Sequence, residues 1–375
     1  MLIKQLLIRG TNLRKLEELS FEADLIFVFS SKKFKELSLV LQSLREEQPN
    51  AIITGCTTAG QIYRDRVYDN SVSITAIKFE KTKLVRKMIH IPDIGDSYKA
   101  GQHLADKFKV KGLQHLVVLS DGLNVNADEF LNGLSHKFSN KVTISGGLAG
   151  DGEQFNQTFI IDDQIGLKNT ISAIGFYGKN LEVNCSSSHG WQPFGINRTV
   201  TKSKNNIIYE IDGKPALEII KSFLGEEKDN LPASALLVPI CMEKFEEDSY
   251  HIRSIVGVDK GHQSLIFAGN VVQGSVIRLM KTKSRDLESA AKKAARRVNE
   301  FSKRKPDFAL VVGNVGRKMI HKQMTDIEIE AVQNVFGKDT VLTGFYGYGE
   351  FMSSFKNGPC LLYNQSLTLT TFKEY

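Results

Sequence analysis

The sequence predicts a mixed α/β fold, α+β in its details, made of internally repeated strand-helix-strand units with added antiparallel strands and arranged in two regions. Three observations predict it. An apolar run, a polar turn, a helix-period segment and a glycine segment recur three times in the same order. Each glycine segment is followed by a further strand of alternating polarity. The copies lie farther apart than the roughly 20–50 residues of solenoid repeats, so packed pseudo-symmetric lobes are expected rather than an open array.

The first unit covers about residues 21–91. Its strand Leu25-Ile26-Phe27-Val28-Phe29 is a continuous apolar run. Helix-period residues 34–47, the glycine segment Ile52 to Gly60 and the strand Ser73-Ile74-Thr75-Ala76-Ile77 complete it. A helix over 98–108 leads into the second unit, about 113–195, with strand Leu116 to Leu119, helix 127–138, glycine segment Gly146 to Gly152 and strand Thr170 to Ile174. Residues 186–195 hold the single Trp beside Gly, Pro and His, a mixture that reads as a shaped loop. Asn197 to Lys204 resumes as a strand, and Pro215 opens a helix running to Phe223.

Polar residues 226–230 mark the boundary, giving regions 1–225 and 231–375. Residues 235–238, 251–258, 265–268 and 276–279 read as strands, and a helix over 286–301 precedes the third unit. That unit, about 307–375, has strand Phe308 to Val312, helix 325–336, glycine segment Gly344 to Glu350 and strand Leu367 to Thr371.

Composition narrows the function classes. At 41% hydrophobic and 24% charged residues the chain is an ordinary globular protein. Its net charge is +7, and the densest basic cluster, Lys281 to Arg297, reads either as a solvated helix face or as a phosphate contact. No zinc-finger, basic-zipper or aromatic-basic motif accompanies it, so nucleic-acid binding is not expected. The four cysteines are scattered without a CxxC pair, which argues against structural zinc and against a disulfide framework. No signal peptide or bilayer-length apolar run is found, so a cytoplasmic protein without a transmembrane segment is expected.

Five motifs carry a resemblance. Ser120-Asp121-Gly122-Leu123-Asn124-Val125-Asn126-Ala127-Asp128-Glu129, Gly146-Gly147-Leu148-Ala149-Gly150-Asp151-Gly152, Gly190-Trp191-Gln192-Pro193-Phe194-Gly195, Asp212-Gly213-Lys214-Pro215-Ala216 and Gly344-Phe345-Tyr346-Gly347-Tyr348-Gly349-Glu350 resemble, in order, elements of the FIST sensory-domain family over nearly the whole chain. Many relatives carry a cysteine before the Gly-Arg pair of the third unit; this chain has Asn314, then Val315-Gly316-Arg317. The resemblance implies a non-catalytic intracellular sensor that passes ligand occupancy to a signalling partner in trans. Amino acids are the ligands proposed for the family at large. Stand-alone members of this layout are haem proteins that sense nitric oxide and act on histidine kinases, which implies haem b here and a histidine kinase or other signalling protein as partner.

The candidate ligand residues come from the recurring segments: Gly55, Cys56 and Thr57; Asn124; Gly146, Gly147 and Asp151; Asn314 and Arg317; Gly344, Tyr346 and Glu350. Glycine-hinged N–H groups suit a carboxylate, phosphate or propionate, although glycines after a strand also serve tight packing. Asp151 and Glu350 close their segments and suit an ammonium group, or else a turn. Arg317 is a natural fork for a carboxylate or haem propionate, or else forms an internal salt bridge with Glu350. For haem, His189 is the expected axial ligand, with Trp191 and Phe194 lining the pocket; a loop hydrogen bond is the alternative. No metal site beyond haem iron is expected. Cys56 as the nucleophile of a cysteine-dependent enzyme is a further reading, against that of a buried thiol. Oligomeric state is not legible.

Overall fold

The computed structural model describes residues 1–138, 142–242, 251–353 and 358–375, the side chains of Gln164 and Ile165 excepted. The first unit contains β1 (Leu2–Ile8), β2 (Leu25–Ser31), α1 (Leu37–Glu47), β3 (Ile52–Thr58), the hairpin β4 (Gly60–Tyr63) and β5 (Arg66–Tyr68), and β6 (Val72–Lys78). The second contains β7 (Lys83–His90), α2 (Ser97–Asp106), β8 (Leu113–Ser120), α3 (Ala127–Phe138), β9 (Thr143–Leu148), the hairpin β10 (Ile160–Asp162) and β11 (Gln164–Leu167), and β12 (Thr170–Tyr177). The third opens on β13 (Leu181–Ser188) and is then interrupted by an insert.

The insert comprises β14 (Gln192–Lys204), β15 (Ile207–Ile211), β16 (Lys214–Pro215), α4 (Ala216–Leu224), β17 (Ile240–Met242), β18 (His251–Arg253), β19 (Ile255–Asp259), β20 (Ser264–Phe267) and β21 (Val276–Lys281). The third unit resumes with α5 (Ser284–Phe301), β22 (Phe308–Asn314), α6 (Val315–His321), α7 (Asp326–Phe336), β23 (Val341–Gly347), the hairpin β24 (Gly349–Ser353) and β25 (Cys360–Tyr363), and β26 (Leu367–Glu374).

Each unit builds the same sheet. The orders β1-β6-β2-β3, β7-β12-β8-β9 and β13-β26-β22-β23 correspond strand for strand. In each, one parallel pair, β2·β3, β8·β9 or β22·β23, is flanked by an antiparallel strand. Every sheet is then completed by a hairpin from another unit: β10-β11 joins the first sheet, β24-β25 the second and β4-β5 the third. This cyclic exchange ties the units into one body with a pseudo-threefold axis.

Alternation along the strands decides what each face meets. Leu25, Phe27 and Phe29 point into a shared core with Val117, Leu119, Phe176, Phe308, Leu310, Phe345 and Phe372, whereas Ile26 and Val28 pack outward with Val40, Leu41 and Leu44 of α1. Phe176 meets Phe372 at 5.2 Å between ring centroids, and Phe29 meets Phe345 at 4.9 Å, so side chains from different units interlock at the centre.

Four sequence expectations change. Gly55, Gly146 and Gly344 lie inside strands rather than at strand-end hinges. A Cβ on Gly55, Gly146 or Gly344 would stand 1.7, 1.9 or 1.8 Å from the carbonyl oxygen of Val28, Val118 or Val311 in the neighbouring parallel strand. These glycines allow two backbones to approach closely. The loop expected over 186–195 shrinks to residues 189–191, because β13 and β14 extend into it. Residues 235–238, expected as a strand, belong to a 3-10 turn, Ala233–Leu237. The boundary expected at 226–230 falls inside the insert, whose sheet takes β14 and β15 from one side of it and β17 to β21 from the other.

A candidate ligand cleft at the pseudo-threefold axis

The glycine segments meet at the axis. Ala59 N–H donates to Tyr346 C=O at 2.7 Å, Gly150 N–H to Thr57 C=O at 2.9 Å and Tyr348 N–H to Leu148 C=O at 3.2 Å. These bonds are related by the threefold pattern, so Ala59, Gly150 and Tyr348 occupy one position and Thr57, Leu148 and Tyr346 another. The segments therefore converge, as expected, but they close on one another through their own main chains. Gly55, Cys56, Thr57, Gly146, Gly147 and Gly344 are buried, and the N–H groups of Ala59, Gly150 and Tyr348 are already bonded within the protein. By this register Asp151 matches Gly60 and Gly349, one residue out of step with Glu350, which matches Gln61.

Cys56 lies in the shared apolar core, where burial pushes its thiol well above the ordinary range. That is the opposite of what a nucleophilic thiolate needs.

The strand ends repeat a second device. Ser31 Oγ accepts from Lys33 N–H at 3.2 Å, Asp121 Oδ1 from Leu123 N–H at 2.8 Å, and Asn314 Oδ1 from Gly316 N–H at 3.1 Å. Asn314 thus caps α6 as Asp121 caps the turn containing exposed Asn124, whose side chain also reaches Asp121.

In the third unit this frame also carries an ion pair buried on both sides. Arg317 donates to Glu328 through Nε and Nη2, to His189 C=O at 2.6 Å, to Gln365 C=O at 3.3 Å and to Leu287 C=O at 3.0 Å. Its five donors are thereby used, and its carboxylate partner is Glu328, not Glu350. Burial alone would raise Glu328, but the Arg317 charge outweighs it, with help from His321 at 3.5 Å, and holds the carboxyl at about 2. Tyr346 donates to the other Glu328 oxygen at 2.7 Å. Glu350 accepts from Asn314 Nδ2 at 2.9 Å and from Ser366 N–H and Oγ at 3.1 and 2.6 Å, yet burial dominates these bonds and lifts it to about 8. Asp151 is held by Tyr348 Oη, by the N–H groups of Asn156 and Gln157, and by Lys32 at 3.4 Å.

Of the residues expected to hold haem, His189 and Trp191 line one cleft and Phe194 is not in its lining. His189 Nδ1 accepts from Trp191 N–H at 3.0 Å, so the neutral ring carries its proton on Nε2, the wrong tautomer for an iron ligand through that atom. Trp191 packs with Cys241, Ile252, Met280 and Leu287, whereas Phe194 packs on the core of the insert. Arg317, the expected partner of a propionate, is fully bonded within the protein.

A cleft opens beside the axis. It encloses about 750 Å³ and draws a wall from each part of the body: Asp69 from the first unit, Glu153 from the second, Lys318 and Lys322 from the third, and Glu227 from the insert. Leu237, Met319 and Ile320 give it an apolar floor. Lys318 joins cleft to axis, since its ammonium donates to Ala59 C=O at 2.8 Å and pairs with Asp69. None of the cleft's charged residues was singled out in the sequence. Each is an ordinary surface residue locally, and only the exchange of hairpins gathers them.

Family models for the FIST N domain and the FIST C domain match residues 24–214 and 216–353, and the chain belongs to the FIST family, whose domains are small-ligand sensors of signalling proteins. An uncharacterized protein of Methanocaldococcus jannaschii is 24% identical over 293 residues, 72% of this chain and 55% of that protein, so this chain spans about half the length of that relative. Cyanuric acid hydrolase aligns over 100% of this chain and 99% of its own at 7% identity with a TM-score of 0.37. The enzyme from A. caulinodans aligns at 6% and 0.36, over 99% of each chain. At that level of likeness nothing of the hydrolase's activity transfers. No helix among the described residues is long and apolar enough to cross a membrane.

Proposed function

We propose that this protein is a non-catalytic sensor of an amino acid or similarly small amino-carboxylate, bound in the axial cleft. The observation that carries this reading is the lining: two ammonium groups, Lys318 and Lys322, facing three carboxylates, Asp69, Glu153 and Glu227, over an apolar floor. A zwitterion needs both signs, and its side chain needs apolar contact. Glu227 and Leu237 belong to the insert, so a ligand bridging them to α6 stabilises one pose of the insert on the three-unit body. A histidine kinase or other signalling protein reads that pose in trans. The ligand must bind the two poses with different affinity for the signal to exist.

A thermal-shift panel of amino acids on the purified chain tests this, because a ligand at about 100 times its Kd adds roughly 2.7 kcal/mol of stability. At least one amino acid is expected to raise the melting temperature in wild type and to do so less in Lys318→Met. A panel with no response defeats the reading. A Soret band in the purified protein that moves on adding nitric oxide would replace the amino acid with haem.

A further inference from the structure

Charge bookkeeping singles out one segment. Residues 281–305 contain ten Lys and Arg against three Asp and Glu, a net +7 that equals the charge of the whole chain, so the remainder is balanced. Most of this segment is α5, which buries Leu287, Ala290, Ala291, Ala294, Ala295 and Val298 and turns its basic residues outward. Among the described residues Lys292, Lys293 and Arg296 have no carboxylate partner within ion-pair distance.

A second cleft, of about 350 Å³, lies between this helix and residues 187–192. Its lining includes Ser187, Ser188, Ser289, His189, Lys293 and Arg297; Asp286 is its one carboxylate. A shallower cleft continues along the same helix past Lys292 and Arg296. The walls are stapled from beneath. Arg317 donates both to His189 C=O on one wall and to Leu287 C=O on the other, and Thr282 Oγ1 donates to Gly190 C=O at 2.8 Å. Gly190 permits the close approach, since a Cβ there would lie 2.6 Å from Asp286 C=O.

We infer that this second cleft binds a phosphoryl group, with Lys293 and Arg297 supplying charge, the serines supplying donors, and Arg317 fixing the spacing of the walls. Guanidinium and ammonium groups beside hydroxyls recognise the tetrahedral dianion through charge-assisted hydrogen bonds. The site stands apart from the axial cleft and does not depend on the ligand proposed for it.

Calorimetric titration of the full chain with pyrophosphate tests the site. Wild type is expected to give saturable binding that weakens with added salt. Lys293→Ala combined with Arg297→Ala is expected to weaken it by at least about tenfold. Ser289→Asp, which places a carboxylate in the cleft, is expected to do the same with an unchanged melting temperature in the absence of pyrophosphate. Lys221→Ala on α4 should bind as wild type does. Absence of saturable binding, or wild-type affinity in both cleft variants, overturns the assignment. Adenosine monophosphate titrated in parallel identifies the source: tighter binding than pyrophosphate points to a nucleotide, and weaker binding to an inorganic phosphoryl compound.

Discussion

The first and third units share one backbone and differ in almost all of their chemistry. In both, a parallel strand pair ends in a side-chain-capped turn, and a glycine lets the paired strands touch. Behind the first pair lies an apolar layer of Val40, Leu41 and Leu44. Behind the third lies an apolar layer of Ile329, Val332 and Phe336 from α7, and beside it α6 and the buried set Arg317, Glu328, His321 and Tyr346. Strand alternation and glycine placement therefore suffice for the shared frame, while one copy is free to carry polar groups that would be costly in all three.

The largest expected effect breaks what the units have in common. Gly55→Ala, Gly146→Ala and Gly344→Ala each place a methyl group within 2 Å of a strand carbonyl, and each should prevent recovery of folded protein, judged by circular dichroism. A variant that folds normally at one of the three sites would show that the copies are not equivalent.

Next comes what sets the third unit apart. Arg317→Ala leaves Glu328 buried without its countercharge and should cost about 3–5 kcal/mol in urea unfolding. Arg317→Met with Glu328→Leu should recover most of that loss, because no lone charge is then left inside.

A smaller effect follows from Glu350. Its folded-state pKa, about 8, lies above its ordinary value, so its contribution to stability is full below about 4.5 and is lost as pH rises through about 8. Glu350→Gln should therefore remove part of the wild type's loss of melting temperature between pH 5 and pH 8. The second unit supplies the opposite sign. Burial holds His115 at about 3, between Thr143 Oγ1 at 2.7 Å and Ser145 Oγ at 2.9 Å. Its contribution is full above about 6.5 and fades as pH falls towards 3. His115→Gln should flatten that acid limb and leave the alkaline limb unchanged.

Much of this frame was legible in the sequence. Helix α3 was expected over 127–138 and lies there, and the strands at Leu25, Leu116 and Phe308 were marked by continuous apolar runs. What escaped had a local reason. α6 is seven residues long and too short for a periodic signal, and β1 reads as an unremarkable N-terminus until β6 pairs with it. Hairpin exchange is a long-range choice with no local signature. It also explains why the site was only half visible: the glycine segments do meet, but Asp69, Glu153 and Lys318 become neighbours only once the hairpins cross between units. Residues 190–195 looked irregular from composition, although pairing with β21 draws most of them into a strand.

The most direct measurement is calorimetric titration of the best amino acid from the panel into wild type and Lys318→Met, with matched melting temperatures as a check on folding. Saturable one-to-one binding that weakens at least about tenfold in the variant is the expected result. Equal affinity in the two proteins would place the ligand away from the axial cleft and contradict the proposed site.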